Sequence, residues 1–69
     1  MERFYSSNEP GGKPFVSVGD TVKKGQPLCI IEAMKVMNEI ESPYDGVIKE
    51  IKVQNEEAVG FDQILMVIE

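Results

Sequence analysis

Along the chain, apolar and polar side chains alternate in short stretches, and each stretch is closed by Gly, Pro, Asn or Asp. A period of two marks strands with one face toward a core, and the closing residues mark turns. The pattern predicts strands at Phe15–Val18, Pro27–Ala33, Val36–Ile40, Gly46–Val53 and Ile64–Ile68, with Val22 and Val59 in short extended or turn segments. Turns are predicted at Val18-Gly19-Asp20, Lys24-Gly25-Gln26, Ser42 to Gly46 and Gln54-Asn55-Glu56. From Ser6 to Pro14 the only apolar side chains are prolines. That stretch is predicted to leave the body as a protruding loop, with Pro10, Gly11 and Gly12 turning it back.

A shift of 37 residues superposes the two halves without a gap. Val16 falls on Val53, Val22 on Val59, Gln26 on Gln63, Leu28 on Leu65, Ile31 on Ile68 and Glu32 on Glu69, six identities in a window of 17. Two copies are too few for a solenoid. They can instead close around a shared core, so the expected fold is all-β: a flattened barrel or sandwich of two short antiparallel sheets related by a pseudo-twofold axis. In the first half Glu32 runs on through Ala33-Met34-Lys35 into another strand, whereas Glu69 is the last residue. The symmetry therefore predicts the Met34–Lys35 hairpin at one end and the chain terminus at the other, far from the lysine.

If Met34 and Lys35 form a two-residue loop, the cross-strand partners are Ala33 with Val36, Glu32 with Met37, Ile31 with Asn38, Ile30 with Glu39 and Cys29 with Ile40. One face then carries Cys29, Ile31, Ala33, Val36, Asn38 and Ile40 and is expected to be buried. The other carries Ile30, Glu32, Met37 and Glu39 and is mixed. Such loops favour Asn-Gly or Asp-Gly because both central residues need positive φ. Met and Lys adopt that conformation at about 1 kcal/mol each. A turn built against preference, with a lysine at its tip, singles out Lys35.

Composition removes most chemistry from this chain. At 69 residues it forms one domain. It has no His and no Trp, and Cys29 is its only cysteine. A His-based triad, a Cys-His pair and a His- or thiolate-ligated metal site are therefore excluded, and so is a disulfide. Cys29, flanked by apolar residues, reads as a buried thiol. No catalytic residue and no metal site is expected. A net charge of −5 and a pI near 4.6 oppose binding to nucleic acid or anionic lipid. No apolar run approaches the length of a membrane span. Met1 to Tyr5 has no targeting character, so the expected location is the cytoplasm, or an organelle if a leader has been removed.

Glu32-Ala33-Met34-Lys35, followed by Val36-Met37-Asn38-Glu39-Ile40-Glu41, resembles the attachment site of the biotin carboxyl carrier family. Val18-Gly19-Asp20, Val22, Lys24-Gly25-Gln26, Leu28, Pro43, Gly46-Val47 and Val67-Ile68-Glu69 extend the resemblance over roughly Phe4 to Glu69. It implies a single biotinyl domain spanning residues 1–69, with biotin joined covalently to Lys35. Met34 and Val36 would flank the attachment point, and Glu32 would assist recognition by a biotin protein ligase. The ligase loads the lysine, a biotin carboxylase charges the biotin, and a carboxyltransferase takes the carboxyl group to an acyl-CoA. The acetyl-CoA carboxylase branch is implied by the loop at 6–14, which resembles that branch's protruding thumb. The chain departs from the family in three places. Val36 follows the lysine where the family has Met. Glu56 and Asp62 stand at glycine positions of the second half, so those turns are expected to differ. Met1-Glu2-Arg3 replaces an apolar segment, so residues before 4 are expected to be a truncated N-terminal region, with a short terminal strand pairing with Ile64–Ile68. Two other readings stand beside this one: a lipoyl carrier domain, which shares the fold, and an unmodified β-barrel interaction module.

Overall fold

The computed structural model describes residues 2–69. Among these residues there are seven strands and no helix: β1 (Glu2–Tyr5), β2 (Thr21–Val22), β3 (Pro27–Ala33), β4 (Val36–Glu41), β5 (Gly46–Ile51), β6 (Ala58–Val59) and β7 (Met66–Ile68). They form a four-stranded sheet of order β4-β3-β1-β6 and a three-stranded sheet of order β2-β5-β7, antiparallel throughout. Side chains pointing inward from both sheets make one core, in which Phe4, Val22, Cys29 and Ile48 are wholly buried and Val16, Leu28, Ile31, Val53 and Val59 close the gaps. Burial of this apolar surface is the main force holding so small a domain together.

The pseudo-twofold symmetry extends to individual hydrogen bonds. Asp20 accepts from the Ser17 amide at 2.9 Å, and Glu57 accepts from the Gln54 amide at 2.9 Å. Gln26 accepts from the Lys23 amide at 3.1 Å, and Gln63 accepts from the Gly60 amide at 2.9 Å. Each half also binds the other. The Gly19 amide donates to Ile48 O at 2.8 Å, and the Glu56 amide donates to Phe4 O at 2.7 Å. Phe4 and Ile48 are thus counterparts, 44 residues apart rather than 37. The difference of seven residues is taken up by the loop after β1.

Several expectations need correction. Phe15–Val18 is not a strand: Phe15 donates its amide to Ser6 O at 2.8 Å, which closes the base of the loop instead of a ladder. Val16 is buried there all the same. The predicted Gly46–Val53 stops at Ile51, where the chain bends toward the Gln54–Glu57 turn, and Ile64–Ile68 shortens to β7, with Ile64 exposed. The terminal strand does not pair with β7. As β1 it lies between β3 and β6, with Phe4 opposite Ile31 and Glu2 opposite Val59. The second-half turns keep the first-half geometry: φ is 97° at Gly19 and 70° at Glu56, 86° at Gly25 and 66° at Asp62. The side chains at 56 and 62 accept the left-handed conformation that glycine adopts freely.

Candidate functional site

β3 and β4 meet in the predicted register, Ala33 opposite Val36 through Cys29 opposite Ile40, with an irregularity between Pro27 and Cys29 that bends the strand away from its tip. Met34 and Lys35 are the two loop residues, with φ of 53° and 66°. Both are left-handed, as a two-residue primed turn requires. Lys35 is exposed, and Met34 beside it is 93% exposed. Among the described residues Lys35 Nζ has no hydrogen bond and no ion pair; the one surface ion pair joins Lys52 to Glu50 at 2.9 Å. The amine therefore stands in water at the apex of a stiff two-stranded finger.

Val36 was expected on the buried face but is 56% exposed, and Asn38 is exposed with it. β4 is the edge strand of the four-stranded sheet, paired on one side only. Glu2 and Glu69, the first and last described residues, are also placed. Gly46 and Glu69 adjoin through the Val47–Glu69 backbone pair, at the end of β4 away from the hairpin, whereas Glu2 pairs with Ala33 at the lysine end. Glu69 is thus remote from Lys35, and Glu2 is not.

On the outer face of the four-stranded sheet, one row across the strands is Arg3, Glu32 and Met37, and the next is Tyr5, Ile30 and Glu39. Glu32 is half-buried and accepts a hydrogen bond from the Tyr5 hydroxyl at 2.9 Å. That bond is the largest cause of the upward shift of the Tyr5 pKa, since the nearby carboxylate disfavours a phenolate. Met37 is 56% exposed.

The loop from Ser6 to Pro14 folds over this face. Asn55 accepts the Ser6 amide at 2.9 Å, and the buried Ser7 hydroxyl donates to Glu9 O at 2.7 Å. Gly11 is left-handed, and a Cβ at Gly12 would lie 2.9 Å from Glu9 Cγ and 3.1 Å from Glu9 O, so the return turn needs both glycines. Between loop and sheet runs a groove of roughly 210 Å³ lined by Tyr5, Ser7 to Pro10, Met37, Asn55 and Glu56. Sequence reasoning placed Asn55 only in a turn and gave Tyr5 no role, because neither lies in the attachment motif or on a predicted strand.

Cys29, a free thiol, is wholly enclosed, with burial pushing its pKa from the ordinary 9.0 up to about 11. No cluster of three or more metal-ligating side chains occurs among the described residues. A β-body that holds an exposed lysine at the tip of a two-residue hairpin is the form of a covalent attachment domain. An exposed, unpaired Nζ fits an amide-linked group such as biotin.

The family model for biotin-requiring enzymes matches residues 4–68, and the chain belongs to that family. It is 61% identical over 62 residues to the biotin carboxyl carrier protein of acetyl-CoA carboxylase from Streptococcus pyogenes, covering 90% of this chain and 37% of that protein. The protein of the same name from Cyanidium caldarium is 58% identical over 65 residues, 94% of this chain and 43% of that one. A chloroplastic form from Arabidopsis thaliana is 50% identical over 66 residues, 96% of this chain and 24% of its own length. The chain thus spans between a quarter and somewhat over two fifths of these relatives.

Proposed function

We propose that this chain is the biotin carrier domain of an acetyl-CoA carboxylase and that Lys35 is the residue to which biotin is joined. The observation that carries this reading is the unpaired amine at the hairpin tip, inside the Glu32–Lys35 motif of a member of the biotin-requiring family. In loading, Lys35 Nζ is the nucleophile. It forms an amide with the adenylate-activated carboxyl of biotin, AMP leaves, and the ammonium proton passes to a base of the ligase. Met34, Val36 and Glu32 flank the amine and are read as the surface the ligase meets, with the loop at 6–14 acting as the thumb beside them. Once attached, biotin supplies a ureido nitrogen that takes up and gives up a carboxyl group. The chain's own contribution is positional: a tether of fixed origin keeps that nitrogen at high local concentration for a biotin carboxylase and then a carboxyltransferase.

Among the described residues no helix is long and apolar enough to cross a membrane. We read the carrier as cytoplasmic, with an organellar form matching the relatives named as chloroplastic. Intact mass after incubation with biotin ligase, ATP and biotin tests the reading. A gain of about 226 Da, the ordinary increment for a biotinyl amide, supports it. A chain that takes lipoate from a lipoyl ligase instead, about 188 Da, is a lipoyl carrier. No gain from either identifies an unmodified interaction module.

A further inference from the structure

Glu32 lies three residues before Lys35 on the outer face, between Arg3 and Met37 in the neighbouring strands. Arg3 is the cation placed to pair with it, yet the Arg3 guanidinium donates to Glu56 O at 2.6 Å, and no ion pair to Glu32 forms. The carboxylate is held instead by Tyr5, which reaches diagonally from the next row to donate to Oε1 at 2.9 Å. Oε2 accepts no hydrogen bond from any described residue. A surface glutamate ordinarily loses rotamer freedom when a partner binds it, which opposes binding. Here part of that restriction is already in place, with one oxygen still open.

We propose that Tyr5 is a positioning residue whose hydroxyl presets the Glu32 carboxylate as a docking acceptor for a cationic side chain of the enzyme that acylates Lys35. The inference rests on the reading of Lys35 as the acceptor. An enzyme that activates an acid with ATP must stabilise phosphate charge, so its site is lined by cations. A fixed carboxylate beside the incoming lysine complements such a site, and a charge-assisted contact of this kind acts on encounter and affinity rather than on the acyl transfer itself.

The test is steady-state loading of the whole chain by biotin ligase, with chain concentration varied. Tyr5→Phe keeps the ring and removes the hydroxyl. It is expected to raise KM for the chain about 3- to 10-fold with kcat held, the worth of one ordinary hydrogen bond. Glu32→Gln is expected to raise KM at least as much, and adding Tyr5→Phe in that background to change it less than twofold. Two results overturn the inference: an unchanged KM for Tyr5→Phe, even if its urea midpoint falls, or a Tyr5→Phe effect of equal size with and without Glu32→Gln. Those results presuppose a wild-type chain that is loaded normally. A wild-type chain left unloaded refutes the carrier reading itself, and this inference with it.

Discussion

Met34 and Lys35 carry backbone conformations that cost L-residues about 1–2 kcal/mol each, and no glycine relieves them. Stability alone favours Gly at 34. Met34→Gly is therefore expected to raise the unfolding free energy by ~1 kcal/mol while slowing loading, because the exposed thioether beside the amine is lost. Urea unfolding and ligase kinetics on the same variant check the two halves of that statement. At Cys29 the prediction concerns pH. The folded thiol titrates near 11 and the unfolded one near 9.0, so the folded state holds its proton longer. This contribution is fully present below pH 9 and is lost as pH rises from 9 toward 11, at no more than ~1.4 kcal/mol per pH unit. A Cys29→Ala chain is expected to lack that decline in its urea midpoint. At this scale the hairpin could be read from the sequence, because a two-residue loop fixes the partner of every residue down both strands. The Tyr5–Glu32 bond could not. Its partners are 27 positions apart, and no period in the chain links them.

Among the elements, the turns repeat more faithfully than their sequences do. Gly19 and Gly25 correspond to Glu56 and Asp62, and all four are left-handed. The closing hydrogen bonds of the first half recur in the second, so tertiary pairing imposes the turn and the residue accommodates it. Glu56→Gly is accordingly expected to stabilise the domain by ~1 kcal/mol in chemical denaturation. Gly46 is the opposite case. A Cβ there would meet Ile68 Cγ2 at 2.7 Å and Glu69 O at 2.9 Å, where the closing residues of the chain lie against β5. Gly46→Ala is expected to lower the unfolding free energy by roughly 1–3 kcal/mol through overpacking. The strands that could be read from the sequence were those with alternation and a paired neighbour, above all Pro27–Ala33 and Val36–Ile40, the second one residue longer in the structure. Phe15–Val18 has the same alternation, but its amides are spent on closing the loop at Ser6 and on the Ser17–Asp20 turn, and pattern alone carries no record of that choice.

At the scale of the whole molecule, two near-equal halves share one core, and their differences set where function can reside. The loop at 6–14 belongs to the first half only. β4, the edge strand of the four-stranded sheet, pairs with β3 to carry the Lys35 turn. The 37-residue repeat disclosed the symmetry. The exposure of Val36 was not disclosed, because an apolar residue in an alternating stretch looks buriable until its strand is known to lie at a sheet edge. Exposure alone does not pick out Lys35, since Lys13, Lys23, Lys24, Lys49 and Lys52 are exposed as well. What distinguishes it is its place at the apex of the finger. Peptide mapping of the ligase-treated chain, resolving all six lysines, tests that claim most directly. Biotin on Lys35 alone, with none on the other five and none after Lys35→Arg, is the predicted result; biotin spread over several lysines, or retained in the Lys35→Arg chain, would contradict it.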